Sequence, residues 1–387
     1  NLQKQRVPSL LNILGLSLGI ASSSLIMLHV KQELSFEKGF AKADNIYRIS
    51  TKSWAKSSPP LKGFLATNLP EASRVSQVAA FGTEVVRTDY YKAEVEHGYY
   101  ADADFFEIFG LSFIDGHPQK KLKMPFKVIL TKSMAKQFFG GKDPIGDVVI
   151  FDDKWDYEVI GVVEDLPKNS HLKMDYFITM PTFYKRIPES WTSNPNWMVT
   201  YTYALFDGPI NPDQIQNKLR EATYAFYPDD PREDVDKAEA HLKAYPIKSI
   251  HLNSHKEQEM HANGEITLVY IFSALAIFII LIACINFTNI FTTQAIKRSK
   301  EIGVRKVLGA KKAQLTFQFL SEAYITTLIA TFLGVMLVSL ALPRYNELVT
   351  VPIPPSDILT AFNLYLLLGL VLVIGNFSGA STALYVS

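Results

Sequence analysis

Residues 267–291, TLVYIFSALAIFIILIACINFTNIF, contain no charged side chain. A helix of roughly 20 apolar residues spans about 30 Å of hydrocarbon, and a core helix of a soluble domain seldom stays apolar on every face for that long. The stretch therefore reads as a membrane-crossing helix. Three others have the length: 10–30, uncharged; 315–342, with one acid, Glu322, near its start; and 358–380. Lys4 and Arg6 precede the first, as they would in a signal peptide. Its apolar run exceeds the roughly 7–15 residues of a signal core and no Ala-x-Ala site follows, so it is an anchor.

Loop charge sets the orientation. Lys297, Arg298, Lys300, Arg305, Lys306, Lys311 and Lys312 crowd into residues 297–312, opposed by Glu301 alone, whereas 343–357 sets Arg344 against Glu347 and Asp357. Basic loops stay cytoplasmic. The N-terminus and the 297–312 loop are thus inside, residues 31–265 and 343–357 outside, and the C-terminus inside. The expected division is an N-terminal tail and helix over 1–30, an outer domain over 31–265, a second span at 266–292, a cytoplasmic segment at 293–312, a third span at 313–342, an outer loop at 343–357, a fourth span at 358–380 and a cytoplasmic end at 381–387. The chain starts at Asn1 and stops at Ser387 just past a span, and both ends read as trimmed.

With 39 basic and 38 acidic residues, charge gives no case for nucleic-acid binding. The single cysteine, Cys284, lies inside the second span, so the outer domain has no disulfide and no cysteine-type zinc site. His251, His255 and His261 are the nearest approach to a histidine cluster and read as surface loop residues. There is no GxxxxGK[ST] phosphate loop; FFGGKDP is a turn without that spacing. HExxH is absent, and Asp152–Asp153 is ordinary turn chemistry.

The outer domain reads as α+β. KQELSFEKGF continues the first helix outward and is followed by a strand. AAFGTEVVR and YYKAEVEHGYY alternate like short strands. Phe105, Phe106 and Phe109 suit a buried helical turn closed by a glycine. A helix is expected from Ser133 to Phe139, capped by Thr131 or Ser133, with strands at 147–151 and 157–164. Asn211 and Pro212 open a helix over 211–226. Aromatics fill 181–206, and YPIKSIHL at 245–252 reads as a returning strand.

Several of these stretches occur together in one order: DNIYRI, DFFEIFGLSFIDGHP, VILTKSMAKQFFGGKDPIGDVV, YEVIGVVEDLPKNSHLKMDYFI, PIKSIHLNS and CINFTNIFTTQAIKRSKEIGVRKVLGAKKAQLTFQFLSEA. Together they resemble permeases of the FtsX/MacB family with a MacB-like periplasmic core, in versions most like those of Bacteroidetes-type bacteria. The last stretch is the most specific. The resemblance implies a multi-pass membrane protein of four transmembrane helices, with a large α+β periplasmic domain inserted between helices 1 and 2. That domain would comprise a porter-like part, about 31–100 and 170–265, and an inserted subdomain at about 100–170. It implies residence in the bacterial inner membrane and no cofactor on this chain, ATP-Mg being held by a partner ABC ATPase. Further implied partners are a second permease copy or related half, a periplasmic adaptor and an outer-membrane channel.

EIGVRKVLGA is then the coupling helix that grips the ATPase. The resemblance singles out Glu301, Gly303, Arg305, Lys306, Leu308, Gly309 and Ala310. Gly303 and Gly309 cost helix stability; Gly303 permits close approach to a partner and Gly309 a left-handed cap. Glu322 either pairs with a basic side chain of this segment or snorkels to the headgroups. Asn286 and Asn289 share a helical face that suits hydrogen bonds between helices, and Gly15 and Gly19 form a GxxxG packing face. The function implied is mechanotransmission for export of antibiotics, peptides or similar periplasmic substrates. Lipoprotein release and regulation of cell-wall hydrolases are the alternatives within the family. A membrane-anchored ligand-binding sensor is the alternative of another class, and a membrane-bound hydrolase would need a catalytic constellation that the sequence does not offer.

Overall fold

The computed structural model describes residues 6–89, 91–116, 118–208, 210–237, 240–308, 311–349 and 351–386. Two compact units form: residues up to Leu34 together with those from Ile266 onward, and Ser35–Glu265. In chain order, helix α1 (Arg6–Glu33) leads into the second unit, which holds β1 (Ile46–Ser50), α2 (Leu61–Asn68), β2 (Ala72–Arg87), β3 (Lys92–Ala101), α3 (Ala103–Phe109), β4 (Phe113–Asp115), β5 (Lys127–Thr131), α4 (Lys132–Phe139), β6 (Val148–Phe151), β7 (Trp155–Val163), β8 (Tyr176–Thr179), α5 (Met180–Arg186), α6 (Glu189–Thr192), β9 (Thr200–Phe206), α7 (Pro212–Phe226), α8 (Arg232–Lys237), β10 (Lys243–Pro246) and α9 (Ile247–Asn253). The chain returns through α10 (Ile266–Lys297), α11 (Ser299–Val307), α12 (Lys312–Asn346) and α13 (Ala361–Val386).

The second unit is built on one mixed ten-stranded sheet in the order β10-β1-β9-β2-β3-β8-β5-β7-β4, with β6 bridging β2 and β7. The strands of 100–170 therefore belong to the same sheet as the rest, through β8 and through the far end of β2. β2 is a 16-residue strand, longer than the short strands expected there. Its alternation is broken by register shifts around Gly82, which carries φ +102°, and bulges of this kind hide a long strand from period-two reading.

Local signals account for much of the helix placement. Asp102 accepts the Phe105 N–H and so caps α3, and Gly110 closes the helix in the left-handed region. The Thr131 hydroxyl, rather than Ser133, accepts the Met134 N–H at the start of α4. Asn211 accepts from Asp213 and Gln214 ahead of α7, with Pro212 in its first turn. Residues 245–252 are not a single strand. β10 ends at Pro246 and α9 begins at Ile247, burying Ile247, Ile250 and His251 at helical spacing.

Three apolar cores hold the sheet to its helices. Phe105, Phe106 and Phe109 of α3 pack with Ile247 and Ile250 of α9 and with Phe177 and Tyr203. Met134 and Phe138 of α4 join Met180 and Phe183 of α5 over Phe151 and Tyr176. Leu61 and Leu65 of α2 meet Ile215 and Leu219 of α7 over Ile49 and Phe206.

In the first unit, α1, α10, α12 and α13 are each long and apolar enough to cross a membrane. α10 continues beyond the expected 292 to Lys297, α12 to Asn346, and α13 starts at Ala361 after a short 3-10 turn and runs on to Val386. Ile13, Leu16 and Ile20 of α1 pack with Ala283 and Phe287 of α10, Ala323 and Ala330 of α12 and Ile374 of α13. A Cβ at Gly19 would lie 2.4 Å from the Ala283 Cβ, so this glycine sets the close approach of α1 and α10. Gly15 meets no described atom within 4 Å, so the two glycines do not form one packing face within the chain.

Candidate functional site

α10 gives way to α11 at Arg298, where the Arg298 N–H still reaches the Ala295 carbonyl and the Ile302 N–H reaches back to Arg298. α11 is amphipathic in a short span. Ile302 is buried against Ala295 of α10, Leu315 and Phe319 of α12 and Ala383 of α13, which seats the helix on the bundle. The opposite side is open: Val304 is 60% exposed, Val307 89% and Leu308 80%. These three sit at i, i+3 and i+4 and form one apolar stripe amid basic residues.

Charge fixes α11 from its other flank. Arg298 Nη1 lies 3.3 Å from Glu322 Oε2, Gln318 Nε2 donates to Glu322 Oε1 at 3.1 Å, and Arg305 Nη1 donates to Gln318 Oε1 at 3.1 Å. The acid of the third span thus meets Arg298 directly and is linked to Arg305 of α11 through Gln318. Gln318 is the intermediary that the sequence reading missed, although its i, i+4 spacing to Glu322 on one helix was a usable signal. Glu301 is exposed. A Cβ at Gly303 would meet nothing within 4 Å, so nothing in the described chain requires a glycine there. Lys306 lies in α11, while its side chain, together with Lys4, Gly309 and Ala310, falls outside the described residues.

Asn286 and Asn289 are exposed on α10. The hydrogen bonds expected of them are made by neighbours instead: Thr288 to Ser378 at 2.7 Å and Thr292 to Thr382 at 3.0 Å, joining α10 to α13. Both helices carry these hydroxyls four residues apart, a pattern legible in the sequence but overlooked beside the two asparagines. Asn12 of α1, buried, adds a hydrogen bond to the Phe287 carbonyl at 3.3 Å.

The second unit contains a separate buried polar cluster. Arg48 is wholly buried and makes a two-pronged pair with Glu259 at 2.5 and 2.8 Å, supported by Ser254. Glu37, also wholly buried, accepts from the His171 N–H and the Ser170 hydroxyl and contacts His171 Nδ1, while His171 Nε2 meets the Tyr203 hydroxyl at 2.8 Å. Nearby, burial first and the Arg48 charge second push Lys256 down to about 7. Burial, with Lys173 and His97 nearby, pushes His261 down to about 4. His251 is not a surface residue: it is buried in α9 and stacks on Phe36. Among the described residues no group of His, Cys, Asp and Glu side chains is placed to hold a metal.

Comparison with known proteins matches this layout. The family model of the MacB-like periplasmic core domain matches residues 9–222, and that of the FtsX-like permease C-terminal region matches residues 273–387. The chain is 25% identical over 245 residues to the macrolide export ATP-binding/permease protein MacB of Acinetobacter baylyi, covering 60% of this chain and 32% of that protein. It is 24% identical over 238 residues to the protein of the same name from Bdellovibrio bacteriovorus, covering 59% and 32%. The chain therefore spans about a third of the length of the curated relatives it matches. The crystal structure of the periplasmic region of MacB from Actinobacillus actinomycetemcomitans aligns with a TM-score of 0.40 at 15% identity, over 55% of this chain and 92% of that one. With family models matched on both of its parts, the first over more than half its length, the chain belongs to the FtsX/MacB family of ABC transporter permeases.

Proposed function

We propose that this chain is the membrane permease of an ABC transporter that converts the ATP cycle of a partner ATPase into motion of the 35–265 domain, for export of an antibiotic, a peptide or a similar periplasmic substrate. α11 is the docking element. The observation that carries this is its exposed stripe of Val304, Val307 and Leu308. A helix that, among its described side chains, buries only Ile302 beneath it and leaves three large apolar side chains in water is incomplete without a partner. Gly303, free of any packing role in the described chain, lets that partner approach closely, and Glu301 and Arg305 supply charge at the rim.

The domain lies in the periplasm and both termini in the cytoplasm of the inner membrane, as loop charge directs. ATP and Mg²⁺ stay on the ATPase, a second permease copy completes the complex, and an adaptor and outer-membrane channel carry the substrate onward. Motion passes through α1 and α10, the two helices that connect covalently to the domain. Export is favoured within the family because the curated relatives are named for macrolide export.

The test is purification of the chain from its native membranes with any co-purifying ABC ATPase identified by mass spectrometry, comparing the native chain with the double variant Glu301→Lys/Gly303→Trp. The native chain should retain the ATPase and the variant should lose it while keeping its gel-filtration profile. Equal retention by both chains, or retention by neither, would remove α11 from the mechanism.

A further inference from the structure

Within the 35–265 unit a cleft of about 750 Å³ opens between the segment after β1, the loop before β9 and the α7–α8 region. Three aromatic side chains line it: Trp54, Trp197 and Tyr227. They are held in place. Trp197 stacks on Phe183 at 6.0 Å and 15°, with Trp191 edge-on at 5.3 Å. The Tyr227 hydroxyl donates to the Pro195 carbonyl at 3.3 Å, and the Trp54 backbone N–H donates to the Thr51 hydroxyl at 3.2 Å, which fixes the main chain that carries the indole. A preformed cleft of this size with rigid aromatic walls matches the usual form of a small-molecule site.

Lys56 lines the same cleft. Its neighbours are fixed, Ala55 by a hydrogen bond to the Glu257 carbonyl and Ser57 by one to the Thr200 carbonyl, so the side chain leaves the backbone at a set position. Its ammonium lies 5.8 Å from the Tyr201 ring centre, and among the described residues no carboxylate pairs with it. A partly desolvated cation with only a ring face for company is incompletely satisfied. Asp230, the acid in the lining, is exposed at the margin.

We propose that this cleft binds an amphiphilic organic monoanion, its flat apolar body taken by Trp54, Trp197 and Tyr227 and its negative group by Lys56. Asp230 at the margin repels a second negative charge and tolerates a neutral or cationic tail. Burial pushes the Lys56 pKa down, in keeping with an ammonium that an incoming anion would stabilise. The assignment does not depend on α11 or on ATPase docking.

The test uses three naphthalene probes of one shape and different charge: 1-naphthaleneacetate, 1-naphthalenemethanol and 1-naphthylmethylamine. Each is titrated calorimetrically into the full chain in lipid nanodiscs, with empty nanodiscs subtracted. The acetate should bind saturably at one site, at least about tenfold more tightly than the alcohol, the scale of a charge-assisted hydrogen bond, with the amine weakest. Lys56→Met should abolish the acetate's advantage and leave the alcohol's affinity unchanged. Lys56→Arg should keep most of the advantage, and Trp197→Ala should weaken all three probes. Equal binding of acetate and alcohol by the native chain, an advantage that survives Lys56→Met, or no saturable binding of any probe would each overturn the assignment. The charge series on the native chain decides the matter even if a variant fails to fold.

Discussion

Arg48 is the largest side chain that the 35–265 unit removes completely from water, and it sits on β1, paired with the edge strand β10 on one side and β9 on the other. A guanidinium in that position is tolerable only because Glu259 meets it with both oxygens. Glu259→Gln strands the cation and should cost about 3–5 kcal/mol in chemical unfolding of the unit. Replacing both partners by apolar residues, Arg48→Met with Glu259→Leu, should recover most of that loss. The pH dependence follows from the same contacts. Burial alone would raise both Glu259 and Glu37. Arg48 and Ser254 outweigh it for the first and His171 and Ser170 for the second, so both lie below the ordinary glutamate value of 4.5. A carboxyl lowered in the folded state stabilises the fold above its unfolded pKa, and that contribution is lost as pH falls through the folded one. Unfolding midpoints should therefore drop between about pH 5 and pH 3, less steeply for Glu259→Gln than for the native chain. Such pairings were only half legible. Glu322 announced itself as an acid in an apolar span, and Arg298 answers it. Arg48 and Glu259 lie 211 positions apart, and no local pattern marks either as the other's partner.

At the scale of elements, what the sequence made legible was what local chemistry decides. Thr131 before α4 and Asn211–Pro212 before α7 are read from residue type and spacing alone. The failures have local causes too. Ile247, Ile250 and His251 carry the helical spacing of α9, but the preceding Tyr245, which does lie in β10, draws the reading toward a strand. β2 was underestimated because its bulges break the alternation. Its partner β3 carries a further feature that no periodicity reports, where it pairs with β8. Gly98 lies opposite Gly82, and the ring of Tyr176 fills the space a side chain would take, with three ring and hydroxyl atoms 2.2–2.4 Å from an added Cβ. Tyr176 is fully buried and boxed by Phe81 and Phe151, so it has nowhere to move. Gly98→Ala should cost about 3 kcal/mol, the upper end of overpacking penalties. Tyr176→Phe should not rescue it, because ring carbons clash as well as the hydroxyl. Tyr176→Leu should restore part of the loss in a double-mutant cycle.

For the whole molecule, the buried charges stand near the two ends of the 35–265 unit. The chain reaches this unit just after α1 and leaves it just before α10. Glu37 and Glu259 stand close to these two crossings, each locked to the body of the unit by a buried network. Both ends of the unit are thus held to its own body, one by Glu37 at His171 and the other by Glu259 at Arg48 on β1. The sheet and all three of its apolar cores also close within the unit, which by its own packing needs no other part of the chain. Residues 35–265 expressed alone should therefore be a soluble, cooperatively unfolding protein with a near-ultraviolet circular dichroism signal. A shorter fragment, 46–253, keeps every strand but lacks Glu37 and Glu259, leaving His171 without its acid and Arg48 as an unpaired buried cation. Its loss should be several kcal/mol, seen as a melting temperature roughly 10–20 °C lower or as failure to fold. Equal melting of the two fragments would mean that Glu37 and Glu259 do not hold the ends of the unit to its body.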